Sequence, residues 1–228
     1  MTREVLDQKI RENFDDVLAL GSMVEQAILK SVEALKQRDL EAAKALYEAD
    51  QDINAKRFEV ENKAMVAIAT QQPLARDLRI LASVIDVVSE LERMGDYAKG
   101  IARITLRLGH EPPIKPLIDI PKMAELTADM LHRALTAFVE GDTEAAYAIP
   151  KEDDMVDDLY NQVYRELLTF MISDPKTIDR ATLLLWAAHN LERTADRVTN
   201  ICERTIFIVT GELTELDTSD DESQAKGT

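Results

Sequence analysis

Apolar residues recur along this chain at three-, four- and seven-residue steps. Leu6, Ile10, Phe14, Val17, Val24, Ile28 and Leu35 form one stripe, which predicts a long amphipathic helix from near Arg3 to about residue 38. A second helix is predicted over 39–70, with Asp39 as N-cap. A third is predicted over 73–108, with Pro73 at the first helical position. Rods of about thirty residues are about 45 Å long at 1.5 Å per residue. The pattern then breaks: residues 109–121 hold four of the seven prolines, and no helix runs through such a stretch. Beyond it the plan repeats. A fourth helix is predicted over 121–140, and a fifth over 142–172 with a kink or break at Pro150. A sixth opens at Asp174-Pro175 and ends near 210.

The two halves also match residue by residue. Leu91, Glu92, Arg93, Asp96 and Ile101 reappear 100 positions later as Leu191, Glu192, Arg193, Asp196 and Ile201. Asp50, Ile53 and Asn54 correspond to Asp153, Val156 and Asp157, and Pro73 and Asp77 to Pro175 and Asp179. The expected fold is all-α: two tandem three-helix bundles of six long helices with an internal pseudo-twofold repeat, placed end to end or side by side. The expected domains are 1–108, a proline-rich connector at 109–121, and 122–211, followed by an acidic tail, 212–228, expected to be disordered.

Composition agrees with a helical protein. Aromatics make up 5% and there are only 7 glycines, so helix breakers are scarce. One cysteine, Cys202, excludes an internal disulfide and a thiolate zinc cage; it reads as core. The charged start of the chain does not resemble a signal peptide, and a cytoplasmic home is expected. The net charge of −16 opposes nucleic-acid binding and free anions as direct ligands, and favours metal cations or basic protein partners.

Glu92 and Asp96 lie about 100° from the apolar seam of the third helix, beside the packing surface. Glu192, Asp196, Asn200 and Glu203 make the equivalent ridge on the sixth. Like charges four residues apart on a helix are mildly destabilising, and by spacing no Lys or Arg three or four residues away is expected to answer both members of a pair. Asp50 and Asn54 on the second helix, and Asp153 and Asp157 on the fifth, add oxygens to the two sites. Oxygen-rich sets of this kind suit Mg, Ca, Mn or Fe more than structural zinc. His189, three residues before Glu192, offers one nitrogen but reads as an ordinary polar residue. Gly95 and Gly100 read as points of close helix packing.

The segments LERMGDYAKGIAR and LERTADRVTNICERTIFIVTGE, each preceded by a proline-led helix start, are similar to the two halves of the PhoU family, over residues 3–211. The resemblance implies a non-enzymatic regulator at the cytoplasmic face of the membrane, commonly a dimer. Its implied partners are the ATPase of the phosphate ABC transporter and a phosphate-sensing histidine kinase. It also implies metal ions (Fe, Zn, Mn or Mg, in multinuclear clusters in some members) on Glu92, Asp96, Glu192 and Asp196, with Asp50, Asp153 and Asp157 as matching acids. The family's Asn-Ile-x-Glu continuation is met by Asn200, Ile201 and Glu203. In the first half it becomes Gly100, Ile101 and Arg103, so the second site is expected to be the better metal binder. The competing reading is a ferritin-like di-metal enzyme or metal-storage bundle, which lacks its Glu-x-x-His motif here.

Overall fold

The computed structural model describes residues 3–216. It contains helices α1 (Arg3–Gln37), α2 (Leu40–Gln71), α3 (Arg76–Leu108), α4 (Asp119–Glu140), α5 (Thr143–Ala148), α6 (Asp153–Ser173) and α7 (Ile178–Thr210), with 3₁₀ turns at Ile149–Glu152 and Pro175–Thr177. There is no strand among the described residues. The rods are those the apolar periodicity predicts, with the fifth broken at Pro150 into α5 and α6. Asp39 and Asp142 cap equivalent helices, accepting from the amides of Ala42 at 2.9 Å and Ala145 at 3.0 Å. Asp174 accepts from the Lys176 amide at 3.1 Å.

Two helix starts differ from expectation. Pro73 does not open α3: Gln72 and Ala75 take left-handed φ values of 49° and 47°, so the chain turns around a buried Pro73 and becomes helical at Arg76. On α4 the helix begins two residues before Pro121, which then sits within the first turn, where a missing N–H costs no hydrogen bond.

Helices α1, α2 and α3 pack on one another, as do α4, α6 and α7, and the bundles lie side by side through α1 against α4 and α3 against α7. Phe14 meets Phe138 edge-on across the first of these seams, with centroids 5.7 Å apart. The apolar core runs without interruption through both halves, from Leu6 to Ile208. The predicted seams of α3 (Leu81, Val84, Val88, Leu91) and α7 (Leu184, Leu191, Val198, Cys202) are buried in it. No described helix is long and apolar enough to cross a membrane.

Most of the acidic tail, from residue 217, lies outside the described residues. Its first part departs from the expected disorder. Leu216 packs half-buried against the core, and its amide donates to Glu203 Oε1 at 2.9 Å.

Candidate functional site

The acid ridges follow from the seams. Because Leu91 and Leu191 are fully buried, the next residue on each helix is carried to the edge of the core, facing the neighbouring rod. Glu92, Glu192 and Asp196 are accordingly half-buried, while Asp96 stands in solvent.

In the first half the acids do converge electrostatically. Burial pushes the Glu92 carboxyl above the usual carboxylate range, and the charges of Asp96 and Asp50 push it further, against Arg57 and Arg93. A cation is already present, however. Asp50, 4% exposed on its side chain, sits 2.7 Å from Lys99 Nζ, which is also 3.9 Å from Asp96. Asp50 Oδ2 accepts from Asn54 Nδ2 as well, at 2.9 Å. The expectation that no nearby lysine serves the acids therefore fails: Lys99 is three residues from Asp96 and reaches across to α2. Arg57, paired with Glu61 at 2.8 Å, adds positive charge beside Glu92.

The second half is built differently. Glu192 Oε2 is 3.0 Å from His189 Nδ1, and the His189 ring packs at 6.0 Å from Tyr160 of α6. Arg193 reaches Asp196, three residues on, at 2.8 Å. Asp153 lies in the first turn of α6 and Asp157 one turn later, both half-buried. Asn200 Nδ2 turns to Glu90 of α3 at 3.2 Å, and Glu203 receives the Leu216 amide. Among the described residues, no group of three or more His, Cys, Asp or Glu side chains is gathered tightly enough to hold a metal ion. In this half Glu192, Asp196, Asp153 and Asp157 are half-buried carboxylates carried on α6 and α7, oxygen donors of the kind a hard metal cation takes. In the first half the charge of the buried Asp50 is met by an ammonium. Burial, with the charge of Glu203, pushes the Cys202 thiol up to about 12, and the thiol is no ligand at neutral pH.

The departure at Gly100 has a structural reason. A Cβ there would stand 2.6 Å from Asn190 Nδ2, and Asn190 donates to the Tyr97 carbonyl at 3.4 Å. Across the pseudo-twofold axis the equivalent contact is Glu90 with Arg197 at 2.9 Å and Asn200. The position carrying the amide in one half must be empty in the other to admit its partner. Sequence reasoning did not single out Glu90, Arg197 or Asn190; their signal is that Glu90 and Tyr97 differ from Asn190 and Arg197 on either side of the repeated Leu-Glu-Arg and Asp.

A side-by-side pair of three-helix bundles, with acids repeated on the second and third rod of each, defines a tandem-repeat helical protein. The family model described as the PhoU domain matches residues 17–105 and 120–205, and the chain belongs to the PhoU family. It is 36% identical over 217 residues to a Clostridium acetobutylicum protein named phosphate-specific transport system accessory protein PhoU homolog, covering 95% of this chain and 99% of that one. An Aquifex aeolicus protein of the same name is 36% identical, over 91% of this chain and 94% of its own. Crystal structures of PhoU from Streptococcus pneumoniae, the phosphate transport system regulatory protein, and from Pseudomonas aeruginosa each superpose with a TM-score of 0.85 at 31% identity. They cover 92% and 90% of this chain, and 100% and 99% of theirs.

Proposed function

We propose that this protein is a non-enzymatic adaptor that regulates phosphate uptake and phosphate-starvation signalling. It docks on the ATPase of a phosphate ABC transporter and on a phosphate-sensing histidine kinase at the cytoplasmic face of the membrane. The observation that carries this reading is the extent of the likeness: relatives named as accessory proteins of phosphate transport match nearly end to end, through both repeats.

Three features support it. The net charge of −16 suits basic patches on partners. The outer face of α6 exposes Tyr164, Leu168 and Ile172 at successive turns, with Ile172 75% exposed, an apolar ridge that serves a second copy or a partner helix. The α6–α7 acids, Asp153, Asp157, Glu192 and Asp196, would hold the metal ion, with Asn200 and Glu203 at the rim. When bound, it would supply rigid cross-linking of the two rods and no turnover chemistry. Capture of the transporter ATPase by the purified full-length chain tests the adaptor role. Retention at low salt that fades as salt rises is the expected result; no retention of either ATPase or kinase at any salt overturns it.

A further inference from the structure

At the end of the molecule where α3 finishes and α7 begins, the seam between the bundles opens into a cleft of about 620 Å³. Arg107, Lys176 and Arg180 line it, with Trp186, Glu111 and Asp179. Arg38 stands behind this wall, in the turn between α1 and α2, held at a left-handed φ of 58°. Its Nη1 is buried with no hydrogen-bond partner. Burial and the positive charge of Arg180 together make its protonated form harder to keep, with Glu111 only partly offsetting them.

An acidic protein with 27 basic residues against 43 acids has here brought three cations to line one cleft with two acids, and a fourth, Arg38, behind them. Glu111 is 65% exposed and 3.8 Å from Arg180, so its share of the balance is screened. Arg180 donates one N–H to the Pro112 carbonyl at 2.8 Å, which fixes the guanidinium at the cleft wall. Trp186, half-exposed, lies flat enough for the Arg107 guanidinium to sit 5.9 Å from its ring. Arginines held rigid, donors without acceptors and a local excess of positive charge are the groups that recognise a tetrahedral oxyanion.

We propose that this inter-bundle cleft binds a phosphoryl oxyanion through Lys176, Arg180 and Arg107, with Arg38 adding positive charge from behind the wall. Free orthophosphate and the phosphate of a nucleotide share that chemistry, and an aromatic face beside the cations accommodates the second. The site is independent of the acidic ridge: Arg180 and Glu192 are twelve residues apart on α7, about 18 Å along the axis. It does not need a bound metal.

Trp186 is the chain's one tryptophan, so its emission reports this cleft alone. The test is a titration of chelator-treated full-length protein with orthophosphate and, separately, with AMP, at ionic strength held constant with potassium chloride. A saturable emission change is expected. Lys176→Gln, an exposed residue whose loss leaves the fold intact, and Arg180→Gln each weaken it about tenfold or more, while Asp196→Ala leaves it unchanged. A response to orthophosphate identifies the free ion; a response to AMP alone identifies a nucleotide. No saturable change with either ligand, or equal affinity in Lys176→Gln and Arg180→Gln, overturns the proposal.

Discussion

A lysine tethered three residues from an acid motif changes what that motif can be. Lys99 holds the buried Asp50 at 2.7 Å, and removing it strands a carboxylate in a place water barely reaches. Lys99→Met is expected to cost about 2–3 kcal/mol, toward the lower end for breaking a buried pair because the lysine is part-exposed. Chemical denaturation measures the loss, and Asp50→Asn in the same chain should recover most of it. Glu92 works in the opposite direction. Burial and the neighbouring Asp96 and Asp50 raise its folded-state pKa above the ordinary 4.5, so the native state binds the extra proton. Its ionised form therefore destabilises the fold, a penalty absent well below the ordinary value and complete once pH exceeds the raised folded pKa. Glu92→Gln should be more stable than the parent at neutral pH and indistinguishable from it near pH 3, seen as a Tm gain on the order of a degree or two at pH 7. Glu92, Asp96 and their partners in the second half were legible because the same letters return 100 positions apart. Lys99 was not, because the helical wheel shows partners on one rod and Asp50 lies on another.

Elements were the most legible scale, since a thirty-residue stripe leaves little freedom for any other period. The misses are local. Pro73 carries a first-turn signal, but the left-handed residues on either side, Gln72 and Ala75, answer to packing that no window of sequence contains. Packing between rods shows the same limit at Gly21, an interior helix position where glycine is a poor helix former. An added Cβ would collide with Leu135 Cδ1 on α4. Gly21→Ala gains about 1 kcal/mol in helix propensity and loses about 1–3 kcal/mol by overpacking a buried leucine. The net is a modest loss, and Leu135→Val should turn it into a gain by freeing the space. A double-mutant cycle in urea checks the sign of the coupling. Additive effects would mean that α1 and α4 do not meet as closely as Phe14 on Phe138 indicates.

At the scale of the whole molecule, two halves with the same plan have been made unequal. The side-by-side arrangement brings α3 onto α7, and the axis between them forces different residues onto matching positions: Gly100 admits Asn190, while Asn200 and Arg197 share Glu90. That asymmetry extends to the acids. The first half answers Asp50 with its own ammonium, whereas in the second, with Asp153 and Asp157 on α6 and Glu192 and Asp196 on α7, the equivalent of Lys99 is Thr199. Thr199 is buried and carries no charge, so position 199 supplies no ammonium of the kind Lys99 supplies. Elemental analysis of untagged protein, purified without chelator, should therefore find its iron, manganese, zinc or magnesium dependent on one half only. Glu192→Ala with Asp196→Ala should remove the metal and lower Tm, because a ligand bound to the native state stabilises it in proportion to its occupancy. Glu92→Ala with Asp96→Ala should leave the content unchanged, and Lys99→Ala, by vacating the ammonium position, should raise it. If the first pair of substitutions matters as much as the second, the ammonium does not exclude metal, and the halves are equal in chemistry as they are in plan.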